Sequence, residues 1–180
     1  MQDKNLIFLD IDGVLNCQLH FQSQQFESYQ DAKKQLKKAV KSKEIERLEY
    51  YQSQICKERM EWFNQLCEET NSVVVLSSTW RKIDGIEEIL KLCGATFQLV
   101  GKTGQCNCGN RGCEIQQWLE TNCKELFGVH GSDFYRYAII DDDSDMLLRQ
   151  AQHFFQTDNY SGLTPNTCYK VKKFLTKKTF

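Results

Sequence analysis

An excess of charge of either sign is missing from this chain: 23 Lys and Arg stand against 24 Asp and Glu over 180 residues, a net of -1. Without a global pull toward polyanions, any attraction to phosphate has to be local. No apolar run approaches the ~20 residues a membrane span needs, which excludes a transmembrane helix. The opening Met-Gln-Asp-Lys-Asn passes straight into an apolar segment, without the basic stretch and long apolar core of a secretory signal, so a cytoplasmic location is expected. There is no internal repeat and no low-complexity tract. Histidine is scarce, and His20, His130 and His153 are too scattered to be given a role. Cysteine is plentiful, yet the odd count of nine and the missing signal favour reduced thiols over a disulfide framework. What is there is globular material: 41% hydrophobic and 12% aromatic residues, in a length that suits one domain or one domain with a small insertion.

The organising stretch is Leu6-Ile-Phe-Leu-Asp10-Ile-Asp12-Gly13-Val-Leu15. Its apolar run is too short for a helix and suits a strand buried on both faces. The run ends on two carboxylates separated by one residue, at the carboxyl end of a strand, where open α/β sheets bind ligands. Gly13 lets the chain turn away. In extended backbone Asp10 and Asp12 would share a face, which is costly for like charges unless a cation lies between them. Asp-x-Asp-Gly alone is also an ordinary turn sequence. A second buried run, Tyr137-Ala-Ile-Ile140, also ends on acids, Asp141, Asp142 and Asp143. Two such strands make a hard-cation site the economical explanation, and oxygen-only ligands point to magnesium more than zinc.

Between these strands the chain alternates. Residues 17–57 are polar and rich in Gln, Lys and Glu, and are read as a helical cap inserted into a core of residues 1–16 and 58–180. From Asp31 to Glu49 seven Lys or Arg face four Asp or Glu. This is either a solvated helix face or a surface that meets a polyanionic substrate. Met60, Phe63, Leu66 and Cys67 recur at helical spacing. Val73–Leu76 reads as a second buried strand and ends on Ser77-Ser78-Thr79-Trp80-Arg81. Hydroxyls at a strand end beside an arginine suit phosphoryl oxygens, although one is expected to cap the next helix. Phe97–Val100 reads as a third strand, followed by a loop with Lys102 and Arg111. Arg111 lies just before a helix through Ile115, Trp118 and Leu119, where its guanidinium and exposed amides can face one anion. A short helix begins at Met146, His153–Gln156 is a candidate fifth strand, and a basic helix runs from about Pro165. Strands alternating with helices predict an α/β fold, a parallel sheet with helices on both faces.

Leu-Asp10-Ile-Asp12-Gly-Val-Leu, a strand ending on Ser77, Arg111 before a helix, and Ile-Ile-Asp141-Asp142 resemble, in order, the four motifs of the haloacid dehalogenase (HAD) superfamily, whose fold is Rossmann-like. Leu-Ser77-Ser-Thr-Trp80-Arg81, Arg111-Gly-x-Glu114-Ile115-x-x-Trp118-Leu119 and Ile-Ile-Asp141-Asp-Asp are similar to the phosphatase-like domain of multi-part RNA repair proteins, itself akin to the phosphatase half of phage polynucleotide kinase-phosphatase. The resemblance covers nearly the whole chain except about residues 17–57. It implies a phosphomonoesterase working through an aspartyl-phosphate. Asp10 is then the nucleophile and Asp12 the general acid and base. Magnesium is held by the Asp10 carboxylate, the Asp12 backbone carbonyl and Asp141, with Asp142 assisting. Ser77, Ser78 and a cation, Arg111 or else Lys102, would bind the phosphoryl group. Arg81 is expected at the rim of the site on the substrate's far side. Trp80 either stacks on a base or simply packs.

The substrate stays open between a nucleic-acid end carrying a 3'-phosphate and a small phosphorylated metabolite or nucleotide. A catalytically silent module that binds nucleic acid or protein through its basic cap and last helix is the alternative from another class. Cys106, Cys108 and Cys113, completed by Cys93 or Cys123, form a further candidate, a structural zinc site, although the spacing lacks a C-x-x-C pair. Oligomeric state is not legible.

Overall fold

The structure, a computed structural model, describes residues 3–41, 46–107 and 109–177. Five strands, β1 (Asn5–Leu9), β2 (Ser72–Leu76), β3 (Leu99–Lys102), β4 (Tyr137–Asp141) and β5 (Phe154–Gln156), form one parallel sheet in the order β3-β2-β1-β4-β5. The first strand is therefore central, and the chain winds outward on either side of it. That reversal of strand order opens a crevice at the carboxyl ends of β1 and β4, where both acidic runs begin.

Period-two alternation divides the strand residues between two apolar layers. Ile7, Leu9, Val74, Leu76, Ala138 and Ile140 face Met60, Phe63 and Leu66 of α4 (Lys57–Glu69), Ile86 and Leu90 of α5 (Ile86–Leu92) and Val171 of α7 (Pro165–Leu175). Leu6, Phe8, Val73, Val75, Tyr137 and Ile139 face Ile115, Trp118, Leu119 and Phe127 of α6 (Arg111–Phe127). Because both faces are covered, the strands read as unbroken apolar runs instead of alternating ones. Fully burying each Leu, Ile or Phe contributes about 1.5–3 kcal/mol.

Residues between β1 and α4 fold as α1 (Gln18–Ser23), α2 (Tyr29–Lys41) and α3 (Arg47–Gln54). Their apolar contacts form a small separate cluster of Phe21, Ala32 and Leu36, flanked by Phe26 and Tyr50. Among the described residues, no helix is long and apolar enough to cross a membrane.

Two elements differ from expectation. The third strand lies at Leu99–Lys102, later than Phe97–Val100. Phe97 instead packs edge-on against Phe63, with ring centroids 5.1 Å apart, and the pairing of β2 with β3 shifts register between Val74 and Val75. The helix expected from Met146 is a 3-10 segment over Leu148–His153, with Leu148 exposed to solvent.

Candidate active site

Each strand end is tied to its neighbour by the first amide beyond it. Asp10 N donates to Ile140 O at 3.0 Å, Ser77 N to Leu9 O at 2.9 Å and Thr103 N to Leu76 O at 3.0 Å. These bonds bring residues from positions 10, 77, 103 and 141 to one edge of the sheet. Asp10 and Asp141 are buried there, Asp142 is half-buried, and one carboxylate oxygen from each lies within 4.8 Å of the others. Gly13 makes this approach possible: its φ is +75°, and a Cβ would overlap the Asp142 carboxyl. The glycine thus serves both the turn and the close packing of two acidic loops.

Burial and mutual repulsion push these acids toward their protonated forms. Asp10 is raised well above the usual carboxylate range, chiefly by burial and then by Asp141, against the opposing pull of Arg111. Asp141 is raised to about 7 by burial, again opposed by Arg111 and by the amide of Asp143, which donates to Asp141 Oδ1 at 3.0 Å. Asp142 is raised by burial and by Asp143.

Among the described residues, Arg111 is the cation that reaches Asp10 and Asp141. Its Nη2 lies 3.6 Å from Asp10 Oδ1 and its Nε 3.5 Å from Asp141 Oδ2. Both are ion pairs beyond hydrogen-bond length, so the guanidinium offsets charge without saturating its donors. Its Nη1 is buried with no hydrogen-bond partner among the described residues, as are Asp141 Oδ2, Ser77 Oγ and Thr103 Oγ1. Orphaned buried polar atoms are costly and call for a partner. Here an oxygen acceptor, Asp141 Oδ2, belongs to the three-carboxylate group and wants a cation, while the Arg111 and Ser77 donors suit an oxyanion. The donor set is all oxygen, so a hard divalent ion such as magnesium fits it.

Arg111 is held by the start of α6. Asn110 caps the helix by accepting from Cys113 N at 3.1 Å, and Arg111 N donates to Asp145 Oδ2 at 2.8 Å. Gly112 packs so closely on Met146 and Leu147 that a Cβ there would overlap backbone, and Gln150 closes the joint by donating to Gly112 O at 2.9 Å. The Arg-Gly pair is thus a seam between α6 and the acidic loop after β4. Lys102, the other candidate cation, is exposed on edge strand β3 in register with Leu76, and among the described residues it makes no contact with the acids.

Asp12 accepts from every side. Its Oδ1 takes Asn16 Nδ2 at 2.9 Å and Trp80 Nε1 at 3.2 Å, and its Oδ2 takes Lys33 Nζ at 3.0 Å. Trp80 is therefore packed in the core, beside Tyr51, with its indole N–H orienting Asp12, and offers no open face for a base. Ser78 Oγ accepts from Trp80 N at 3.3 Å and caps the 3-10 turn Thr79–Lys82.

Arg81 does not stand at the rim. Its Nη2 donates to both Glu114 oxygens at 2.9 Å, its Nη1 donates to Ser77 O at 2.7 Å, and the two side chains are only 9% and 6% exposed. A buried guanidinium needs a carboxylate, and Glu114 in the first turn of α6 supplies it. The pair ties the Ser77 loop to the helix that carries Arg111. Sequence reasoning missed Lys33, Asn16 and Thr103. Nothing distinguishes Lys33 from its neighbouring lysines until α2 is packed beside Asp12.

For zinc, Cys106 Sγ lies 3.4 Å from Asn110 O, Cys123 is buried on the face of α6 that packs against the sheet, and Cys108 lies outside the described residues. Among the described residues, the acid group is the one cluster of three or more such ligands whose atoms converge.

No curated protein and no solved structure matches the chain. A family model does, over residues 6–168, and its description is HAD domain in Swiss Army Knife RNA repair proteins. With that span running from the first strand into the last helix, and with a five-stranded parallel sheet consistent with the Rossmann-like HAD fold, the chain belongs to this family of HAD domains and has its phosphatase-like scaffold.

Proposed function

We propose that this protein is a magnesium-dependent phosphomonoesterase that works through an aspartyl-phosphate on Asp10, with 3'-phosphorylated nucleic-acid ends as its favoured substrates. The observation that carries this reading is the meeting of three buried or half-buried carboxylates within 4.8 Å at the tips of β1 and β4, two of them paired with one arginine. The nucleic-acid end is supported by the family's association with RNA repair and by the basic helix α2 beside Asp12.

An Asp10 oxygen attacks phosphorus and the ester P–O bond breaks. Asp12, oriented by Asn16 and Trp80 and entering the step protonated on Oδ2 in place of its ion pair with Lys33, gives that proton to the leaving alkoxide. It then takes a proton from the water that attacks the aspartyl-phosphate, freeing Asp10 and inorganic phosphate. Ser77 Oγ and Arg111 Nη1, both without hydrogen-bond partners among the described residues, donate to the phosphoryl oxygens. Asp10, the Asp12 carbonyl, Asp141 and Asp142 would hold magnesium, which when bound offsets the repulsion between an anionic nucleophile and an anionic phosphate. Residues 1–16 and 58–180 form the reacting core, and residues 17–57 a cap over its mouth.

The test is phosphate release from sugar phosphates, nucleotides and 3'-phosphorylated oligonucleotides, by the native protein and by Asp10→Asn. Asp10→Asn is expected to lose at least about a thousandfold in rate. Retained activity would remove Asp10 as nucleophile, and indifference to oligonucleotides would remove the repair substrate. Equal oligonucleotide binding by both forms with no release from either would favour a silent binding module.

A further inference from the structure

We propose that α2 is a phosphate rail: Lys33, Lys37 and Lys41 line one ridge of the helix and hold the sugar-phosphate backbone of a single-stranded polynucleotide whose terminal phosphate lies at Asp10. The inference rests on the phosphatase reading and specifies the polymer's path. Three observations on α2 support it.

First, the helix carries five lysines and one aspartate in thirteen residues, whereas the whole chain has a net charge of -1. Second, α2 turns its apolar side, Ala32 and Leu36, onto Phe21 of α1 and the flanking Phe26 and Tyr50. That fixes its rotation, so the lysines cannot exchange places with the buried stripe. Third, Lys33 ends on Asp12, at 3.0 Å from Oδ2, with side chains 27% and 25% exposed. One end of the ridge is thus anchored at the reacting group. A basic helix face is ordinarily only solvated, and the anchor on Asp12 is what separates this one from that case.

Residues four apart on a helix share a face, and the rise per residue puts successive members of this ridge about 6 Å apart. Lys37 and Lys41 are exposed along it. The ridge therefore leads from the crevice into solvent as a row of point charges that follows a flexible anionic strand without reading its bases. Lys37 and Lys41 lie one and two helical turns beyond Lys33, away from the reacting phosphate, so they matter to polymers alone.

The test uses a fluorescein-labelled, 3'-phosphorylated single-stranded oligoribonucleotide, with binding read by anisotropy in the Asp10→Asn background and turnover of p-nitrophenyl phosphate read with Asp10 intact. The paired substitution Lys37→Met/Lys41→Met is compared with Lys170→Met/Lys173→Met, which removes the same charge from exposed positions of α7. The rail pair is expected to weaken oligonucleotide binding about tenfold at 0.1 M salt and to reduce the magnitude of the log Kd against log salt slope by about 1.4, at about 0.7 per lost contact. It leaves p-nitrophenyl phosphate turnover unchanged, and the α7 pair leaves all three readouts unchanged. Lys37→Arg/Lys41→Arg restores binding.

Unchanged affinity and slope in the rail pair would overturn the rail while leaving the phosphatase reading intact. An equal loss in the α7 pair would reduce the effect to net charge and overturn it as well. Equal displacement of the oligonucleotide by polyglutamate of the same length would replace the strand with an acidic protein partner. If the native protein hydrolyses neither substrate and binding still falls as expected, the phosphatase reading fails and the rail stands.

Discussion

The α/β core and the three helices between β1 and α4 are built from different material. In the core, β1, β2 and β4 are buried on both faces, and the candidate site residues Asp10, Ser77 and Asp141 sit at or one residue beyond their carboxyl ends, tied strand to strand by backbone hydrogen bonds. The insertion has a small cluster of its own in Phe21, Ala32 and Leu36, joins the main core through Tyr51 and Ile55, and meets Asp12 with one long, partly exposed lysine. Groups that must meet a reacting phosphate to within a fraction of an ångström belong on rigid elements. Groups that meet the variable remainder of a substrate tolerate an element of lower local stability. The division of labour follows from where apolar area was available.

Glu114→Gln should have the largest effect on stability. It leaves Arg81 buried without its carboxylate and costs about 3–5 kcal/mol, read by denaturant unfolding. Because the pair ties the Ser77 loop to α6, phosphate release should fall too. A loss below about 1 kcal/mol would mean that the core's ion pair is no more demanding than a surface one.

Next comes pH. Asp10 and Asp141 bind protons more tightly folded than unfolded, so the metal-free fold loses stability as pH rises from the ordinary carboxylate range to about 7, where Asp141 titrates. Thermal unfolding with a chelator should show Tm falling across that window. Magnesium should raise Tm markedly at pH 8 and little at pH 5, because the cation competes with those protons. A magnesium shift independent of pH would separate the acid group from the metal.

The smallest effect is reserved for the insertion. Leu36→Ala should cost about 2 kcal/mol, at the low end for a buried leucine, and should appear as faster hydrogen exchange in α2. Turnover of small phosphomonoesters should hold. If it collapses alongside, the insertion and the core open as one unit.

The core was legible because each of its signals is local. A strand buried on both faces must be an apolar run, and a run ending in carboxylates marks the sheet edge by itself, as Leu6–Asp10 and Tyr137–Asp141 do. Arg81 was misplaced at the rim because a basic residue after a strand looks the same in sequence whether it faces substrate or Glu114, thirty-three positions away. The third strand was set too early because Phe97 suits a strand as well as it suits the pocket beside Phe63.

The sequence by itself determined the alternation of strands and helices, the two acidic strand ends and the basic character of the insertion, since each depends on neighbours within a few positions. Only the tertiary structure decided which lysine meets Asp12, which acid receives Arg81, and that Asp142 can close over Gly13. Those pairings join residues from distant parts of the chain, and their energies arise from burial and desolvation that no local pattern carries.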